Sequence, residues 1–206
     1  MARRFSLEPK KQPSQARARE TYAAIVNGAA RVLEKKGYAA LTTNHVARQA
    51  GVGIASLYEY FPNKESVVAA VVGQTVDEIV AELESSLASL IGKRARDTTV
   101  REWISAMFLA VDKRRLLLTV LLGEVPFLHR VPEMIELRGK LLLLSARGHA
   151  VGAERPGETR EALTYLLATM VSNAITEAVL RPPPHLTRAE LEAALSDFVL
   201  RAIASP

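Results

Sequence analysis

The chain has 206 residues, enough for one mid-sized domain or a small module joined to a larger one, and at 49% hydrophobic it can bury a substantial core. It contains no cysteine, which excludes disulfides, thiolate zinc sites and thiol redox sensing. The net charge of +5 is unevenly spread: residues 1–64 hold eleven basic and four acidic side chains, leaving +7 there and −2 over the remainder, as phosphate binding confined to one end requires.

Residues 1–13 mix basic side chains with Pro9 and Pro13 and show no helical period, so they read as a flexible basic arm. Such an arm either follows a minor groove or sits in solvent, and the solvated tail is the favoured reading. From about Ser14, Tyr22, Ile25, Val26, Ala29, Val32 and Leu33 fall on one stripe at steps of three and four, predicting a first helix. Lys35 and Lys36 suit the negative end of its dipole, and Gly37 closes it.

Next comes Thr42 to Phe61, which reads as two short helices joined at a glycine corner, a helix-turn-helix. Thr42 or Thr43 caps the first helix, Val46, Ala47 and Ala50 give it a small apolar face, and Gly51 stops it. Gly53 is a second-rank N-cap for the next helix, Leu57 and Phe61 recur four apart on its buried face, and Pro62 ends it. Asn44, His45, Ile54, Ser56, Tyr58, Glu59 and Tyr60 are left pointing outward. Asn63 then caps a helix that begins with Lys64, where a cation beside free N–H groups suits phosphate.

The series Thr43, Val46-Ala47, Ala50-Gly51-Val52, Leu57-Tyr58, Tyr60-Phe61 and Lys64-Glu65 resembles the signature of the TetR family of bacterial transcriptional regulators. Gly53 stands where the family usually has a serine cap, and Ala55 where glycine or proline is common. The resemblance implies a recognition helix in a major groove, with Asn44, Ile54 and Ser56 at base edges and Thr43, Tyr58, Tyr60 and Lys64 on phosphates.

The helix from Lys64 carries an apolar stripe from Val68 to about Ile91, roughly 40 Å at 1.5 Å per residue, and is expected to link two halves of the molecule. After the charged break at 92–97, Thr99 and Glu102 form a plausible capping box for a helix lined by Trp103, Ile104, Met107, Phe108 and Val111. An apolar run, Leu116 to Leu122, follows, and Pro132 opens a further helix to about Ala150. Glu158 to about Leu180 and a last helix capped by Thr187 complete an all-α chain. The broad apolar arc of this final pair serves either as intramolecular core or as a two-fold homodimer interface; the second is preferred, and the family resemblance implies it.

Expected boundaries are therefore an arm at 1–13, a helix-turn-helix DNA-binding domain at 14–64, and a helical ligand-binding and dimerisation domain at 65–206. Candidate pocket residues are Trp103, Met107, Phe108, Glu124, Phe127, His129, Tyr165, Met170 and Asn173, a set suited to a mainly hydrophobic effector. Gly51 to Ser56 only imitates a dinucleotide motif, because the third glycine is missing and a helix precedes it. The four histidines lack partners at ligand spacing, so no metal, cofactor or enzymatic activity is expected. No apolar run approaches the about 20 residues of a membrane helix, so a soluble, cytoplasmic protein with no membrane partner is expected. The sequence thus points to a dimeric repressor released from a palindromic operator by a small molecule. The alternative is an inducer-independent helix-turn-helix protein acting as a structural DNA binder or protein adaptor.

Overall fold

The computed structural model describes residues 5–90, 95–149 and 158–204, and among them every regular element is helical. In chain order these are α1 (Ala16–Lys36), α2 (Thr43–Ala50), α3 (Ile54–Tyr60), α4 (Lys64–Leu90), α5 (Arg96–Asp112), α6 (Arg115–Glu124), a 3₁₀ turn (Leu128–Arg130), α7 (Pro132–His149), α8 (Glu158–Leu180) and α9 (Arg188–Ala204). The chain forms two compact units, one built from residues up to Asp77 with Leu116–Ile135, the other from Glu78–Arg115 with the residues after Ile135.

In the first unit, Ile25, Val26, Ala29, Val32 and Leu33 of α1 are buried, the stripe read from the sequence. They share a core with Leu41, Val46, Ala47, Leu57 and Phe61. Burying a side chain such as Leu57 or Phe61 contributes about 1.5–3 kcal/mol. The α1–α2 crossing is close: a Cβ at Gly28 would lie 3.0 Å from the Cβ and backbone nitrogen of Ala50. Tyr22 adds an aromatic layer, its ring 5.0 Å from that of Phe61 and 6.0 Å, edge-on, from that of Tyr60.

This unit extends beyond the expected 14–64 module. The first turns of α4 bury Val67, Val68, Val71 and Val72, and Val125, Phe127 and Val131 from the segment after α6 are buried in the same unit. Glu124, at the end of α6, accepts a 2.8 Å hydrogen bond from the backbone N–H of Tyr38. Its carboxylate occupies space that a side chain at Gly37 would need, and Gly37 has φ +73, so glycine is required there on two counts. Gly73 likewise makes room for the Glu133 carboxyl, which would lie 3.1 Å from a Cβ at that position.

In the second unit, α5 packs against α8 and α9. Ile104, Met107 and Phe108 of α5, Leu167, Val171, Ile175 and Val179 of α8 and Val199 of α9 are buried. The start of α5 corrects the expected capping box: the helix begins at Arg96, and Thr99 lies inside it, giving its hydroxyl to the Ala95 carbonyl at 3.1 Å. A buried threonine satisfied by the carbonyl four residues back has no need of a helix end. At α9 Thr187 is the cap, as read, and Glu190 completes a capping box that the reading did not name: Thr187 N–H and Oγ1 both donate to Glu190 Oε2 at 2.7 Å, and Glu190 N–H returns a 3.3 Å bond to Thr187 Oγ1. Arg114 holds Glu78 and Glu82 at 3.3 and 2.8 Å, tying the end of α5 to α4.

Helix α8 departs from the membrane expectation. Glu161–Leu180 has the length and composition of a membrane-crossing helix, yet just 28% of its apolar window is buried in the protomer. The exposed residues include Tyr165, Leu166, Met170 and Ala174, and Phe198 of α9 is also exposed.

Candidate nucleic-acid interface

The helix-turn-helix is built by local signals that the structure realises one by one. Thr42 Oγ1 accepts from His45 N–H at 3.2 Å, so Thr42 is the cap and Thr43 the first residue of α2. Gly51, at φ +69 and ψ 27, stops the helix in the left-handed conformation and returns its N–H to α2. Gly53 precedes α3 with no side-chain cap bond. Asn63 Oδ1 accepts from Ser66 N–H at 2.7 Å and opens α4, while Ser66 Oγ donates to the Asn63 carbonyl at 2.9 Å.

On the outer face, Asn44, Ile54 and Tyr58 are exposed, whereas Thr43 and Ser56 are half-buried. The Thr43 hydroxyl and the Tyr58 phenol lie 3.0 Å apart, joining the beginning of α2 to the last turn of α3. These five residues, on the first turn of α2 and on α3, supply amide, hydroxyl, phenol and aliphatic groups. Leu57 and Phe61 are fully buried, as their spacing requires.

Two of the outward assignments are corrected. Tyr60 is 6% exposed, packed edge-on to Tyr22 and covered by the Lys11 ammonium 4.8 Å from its ring centre. It sits three residues after Leu57 and so falls on the buried face of α3. His45 is turned back, with Nδ1 3.0 Å from the Ala40 carbonyl, where it braces the α1–α2 connection.

Lys64 is half-buried at the first position of α4. Its ammonium lies 4.4 Å over the Tyr38 ring and 3.5 Å from the Leu41 carbonyl, an arrangement that fixes the cation beside α2. Burial, and after it the neighbouring Glu65 carboxylate, push the Tyr38 phenol above its ordinary pKa, so this ring remains neutral beneath the lysine.

The basic arm is not free in solvent over the residues described. Phe5 packs edge-on against Phe127 at 5.2 Å, the Ser6 carbonyl accepts from Asn63 Nδ2 at 3.1 Å, and Lys11 pairs with Glu59 at 3.1 Å. Sequence reasoning missed these contacts because a segment without periodicity gives no sign of the partner it lies against.

The candidate pocket residues are divided between the two units. Glu124, Phe127 and His129 belong to the first unit, with Phe127 buried, His129 exposed and Glu124 engaged at Tyr38. In the second unit Met107 and Phe108 are buried and Trp103 half-buried, while Tyr165, Met170 and Asn173 are exposed on α8.

Residues 25–71, which span this interface, match the family model for bacterial regulatory proteins of the tetR family. Over those residues the chain carries the DNA-binding domain of a tetR-family regulator. The regulator is 26% identical over 167 residues to the fatty acid metabolism regulator protein of Bacillus subtilis, covering 78% of this chain and 82% of that one. Its fold is similar to a TetR-family regulator from Mesorhizobium loti, with a TM-score of 0.72 at 18% identity over 92% of this chain and 98% of the other. It is also similar to Bacillus subtilis FadR in complex with stearoyl-CoA, with a TM-score of 0.62 at 20% identity over 89% of this chain and 98% of that one. TetR-family regulators bind operator DNA as dimers.

Proposed function

We propose that the regulator is a cytoplasmic repressor that binds a palindromic operator as a homodimer and leaves it on binding a mainly hydrophobic effector with an acyl chain. The observation that carries the effector class is the similarity over most of both chains to a fatty acid metabolism regulator. The apolar composition of α5, with Trp103, Met107 and Phe108, supports it. In this reading Asn44, Ile54 and Ser56 contact base edges and Thr43, Tyr58 and Lys64 hold phosphates. Phe108 and its neighbours on α5 line the pocket together with other core residues of the second unit. Tyr165, Met170 and Asn173, being exposed on α8, belong to the dimer face.

The dimer is formed by α8 and α9. An apolar helix left mostly uncovered in the protomer finds its cover in a symmetry-related copy, which presents the same surface. An operator bound by such a dimer is an inverted repeat, with half-sites spaced by about one helical turn or a multiple of it.

The test begins with selection of duplexes from a random pool, followed by titration of the complex with stearoyl-CoA, coenzyme A and stearate in parallel. Recovery of a palindrome and its release by one acyl-bearing compound, but not by coenzyme A, is the expected result. Retention of the operator at saturating acyl-CoA and stearate alike leaves the inducer-independent reading in its place. An effector acts only through differential affinity for the dimer shape that fits the operator.

A further inference from the structure

We infer that the N-terminal segment Phe5–Lys11 is the C-terminal cap of the recognition helix, with Lys10 a positioning residue for DNA binding that acts through α3. The inference rests on the reading of α3 as the DNA-recognition helix.

Helix α3 has seven residues and little support of its own: no side chain caps its beginning, and its last turn has no basic residue. Its end is weaker still. The carbonyl of Tyr58 would ordinarily accept from the N–H four residues on, but that residue is Pro62, which has none. Lys10 Nζ, arriving from 48 residues away in sequence, donates to this carbonyl at 2.9 Å. The backbone N–H of the same residue donates to the Tyr60 carbonyl at 2.7 Å. One lysine therefore satisfies two terminal carbonyls and places a cation at the negative end of the helix dipole.

The segment is itself anchored. Lys11 pairs with Glu59 and covers the ring of Tyr60. Asn63, the residue that caps α4, also binds the Ser6 carbonyl, so the end of one helix and the start of the next share this strap. Further back, Phe5 is held between the Phe127 ring and the Arg130 guanidinium, which lies 5.1 Å from its centre. The last turn of α3 carries Tyr58, whose phenol meets Thr43, so loosening this turn disturbs the surface that faces DNA.

Two explanations for a basic arm beside a recognition helix make opposite predictions. A lysine that touches phosphate releases counterions, whereas a lysine that caps a helix changes affinity without altering the salt dependence. The test compares wild type, Lys10→Met, Lys10→Arg and a variant lacking residues 1–9. Each is examined by amide hydrogen exchange of the free protein and by binding to the selected operator duplex over a range of salt. Lys10→Met retains the stem and the backbone N–H, and the exposed position leaves the fold intact. Exchange at the Tyr60 and Phe61 amides is expected to rise about fivefold in Lys10→Met, with operator affinity of the dimer falling about tenfold, given a cap on each of two protomers. The slope of log affinity against log salt stays unchanged. Lys10→Arg recovers most of both, and the deletion reproduces or exceeds the loss.

A slope shallower by about one unit per protomer, with α3 exchange unaltered, would make Lys10 a phosphate contact and overturn the inference. Exchange and affinity that both match wild type would overturn it equally. Should wild type select no duplex at all, the DNA-binding reading fails, and the exchange comparison alone then decides whether the segment caps α3.

Discussion

Replacing Gly28 with alanine tests how tightly α1 sets the position of α2. Within a helix the change is favourable by about 1 kcal/mol, because glycine has more backbone freedom to lose on folding. Against this, the new Cβ would meet the Cβ and nitrogen of Ala50 at 3.0 Å and its Cα at 3.1 Å, well inside ordinary van der Waals separation. Two of those three atoms are backbone, so no side-chain rotation relieves the contact. Ala50 is the last residue of α2 and is followed by Gly51, already committed to the left-handed conformation, so α2 must shift as a body. Overpacking of this kind costs about 1–3 kcal/mol, which outweighs the propensity gain and leaves Gly28→Ala about 1 kcal/mol less stable. Gly28→Val, larger and β-branched, loses about 3 kcal/mol. Urea unfolding at a fixed protomer concentration measures the stability, and operator binding in the same buffer reports the displacement of α2. A urea midpoint for Gly28→Ala above that of wild type would refute the reasoning, since it would mean that the crossing yields at little cost.

Two further outcomes follow from the site and the ion pairs. Lys64→Ala should weaken binding to all duplexes alike and make the salt slope shallower by about one unit per protomer; an unchanged slope would remove Lys64 from the phosphate contacts. The Arg114 guanidinium, hydrogen-bonded to Glu82, holds that carboxyl below its ordinary value of 4.5 despite some burial. Its folded pKa is depressed, so the stabilisation is present above the unfolded value and disappears as pH falls through the folded one. Glu82→Gln should therefore be less stable than wild type at pH 7, with the gap shrinking as pH falls below the carboxyl's unfolded pKa; a gap that does not shrink at all over the acid range in which the protein stays folded would show that the pair's charge is not its source.

The parts of the fold that depend on neighbours in sequence were the legible ones. The α1 stripe, the Thr42 cap, the Gly51 stop, the Asn63 cap and the Thr187 cap are each set within about four residues, and each appears where its pattern places it. Contacts across many residues left weaker traces. Nothing in the run of alanines around Gly28 marks that glycine as the crossing point. The engagement of Glu124 with Tyr38 spans 86 residues, and so a carboxylate that looked like a pocket group in an apolar segment instead holds the α1–α2 connection. Tyr60 reads as an outward polar group from its phenol, whereas its position three residues after Leu57 makes it core. Pro62 did carry a readable trace of the strap, since it denies Tyr58 a donor that had to come from elsewhere.

The uncovered arc of α8 also affects how the regulator responds to its own abundance. Leu166 and Met170 are about half exposed in an isolated protomer, at 52% and 51%. The proposed α8–α9 dimer would hide them, and folding, pairing and operator binding would then be linked equilibria in which each later step stabilises the earlier ones. Occupancy of an operator that accepts only pairs rises with the square of protomer concentration when protomers are scarce. A cell holding few copies therefore has less repression than simple proportion implies. On that reading the same exposed strip couples the protomer's solubility to its pairing, because the surface left uncovered in one copy is the surface the other copy removes from water.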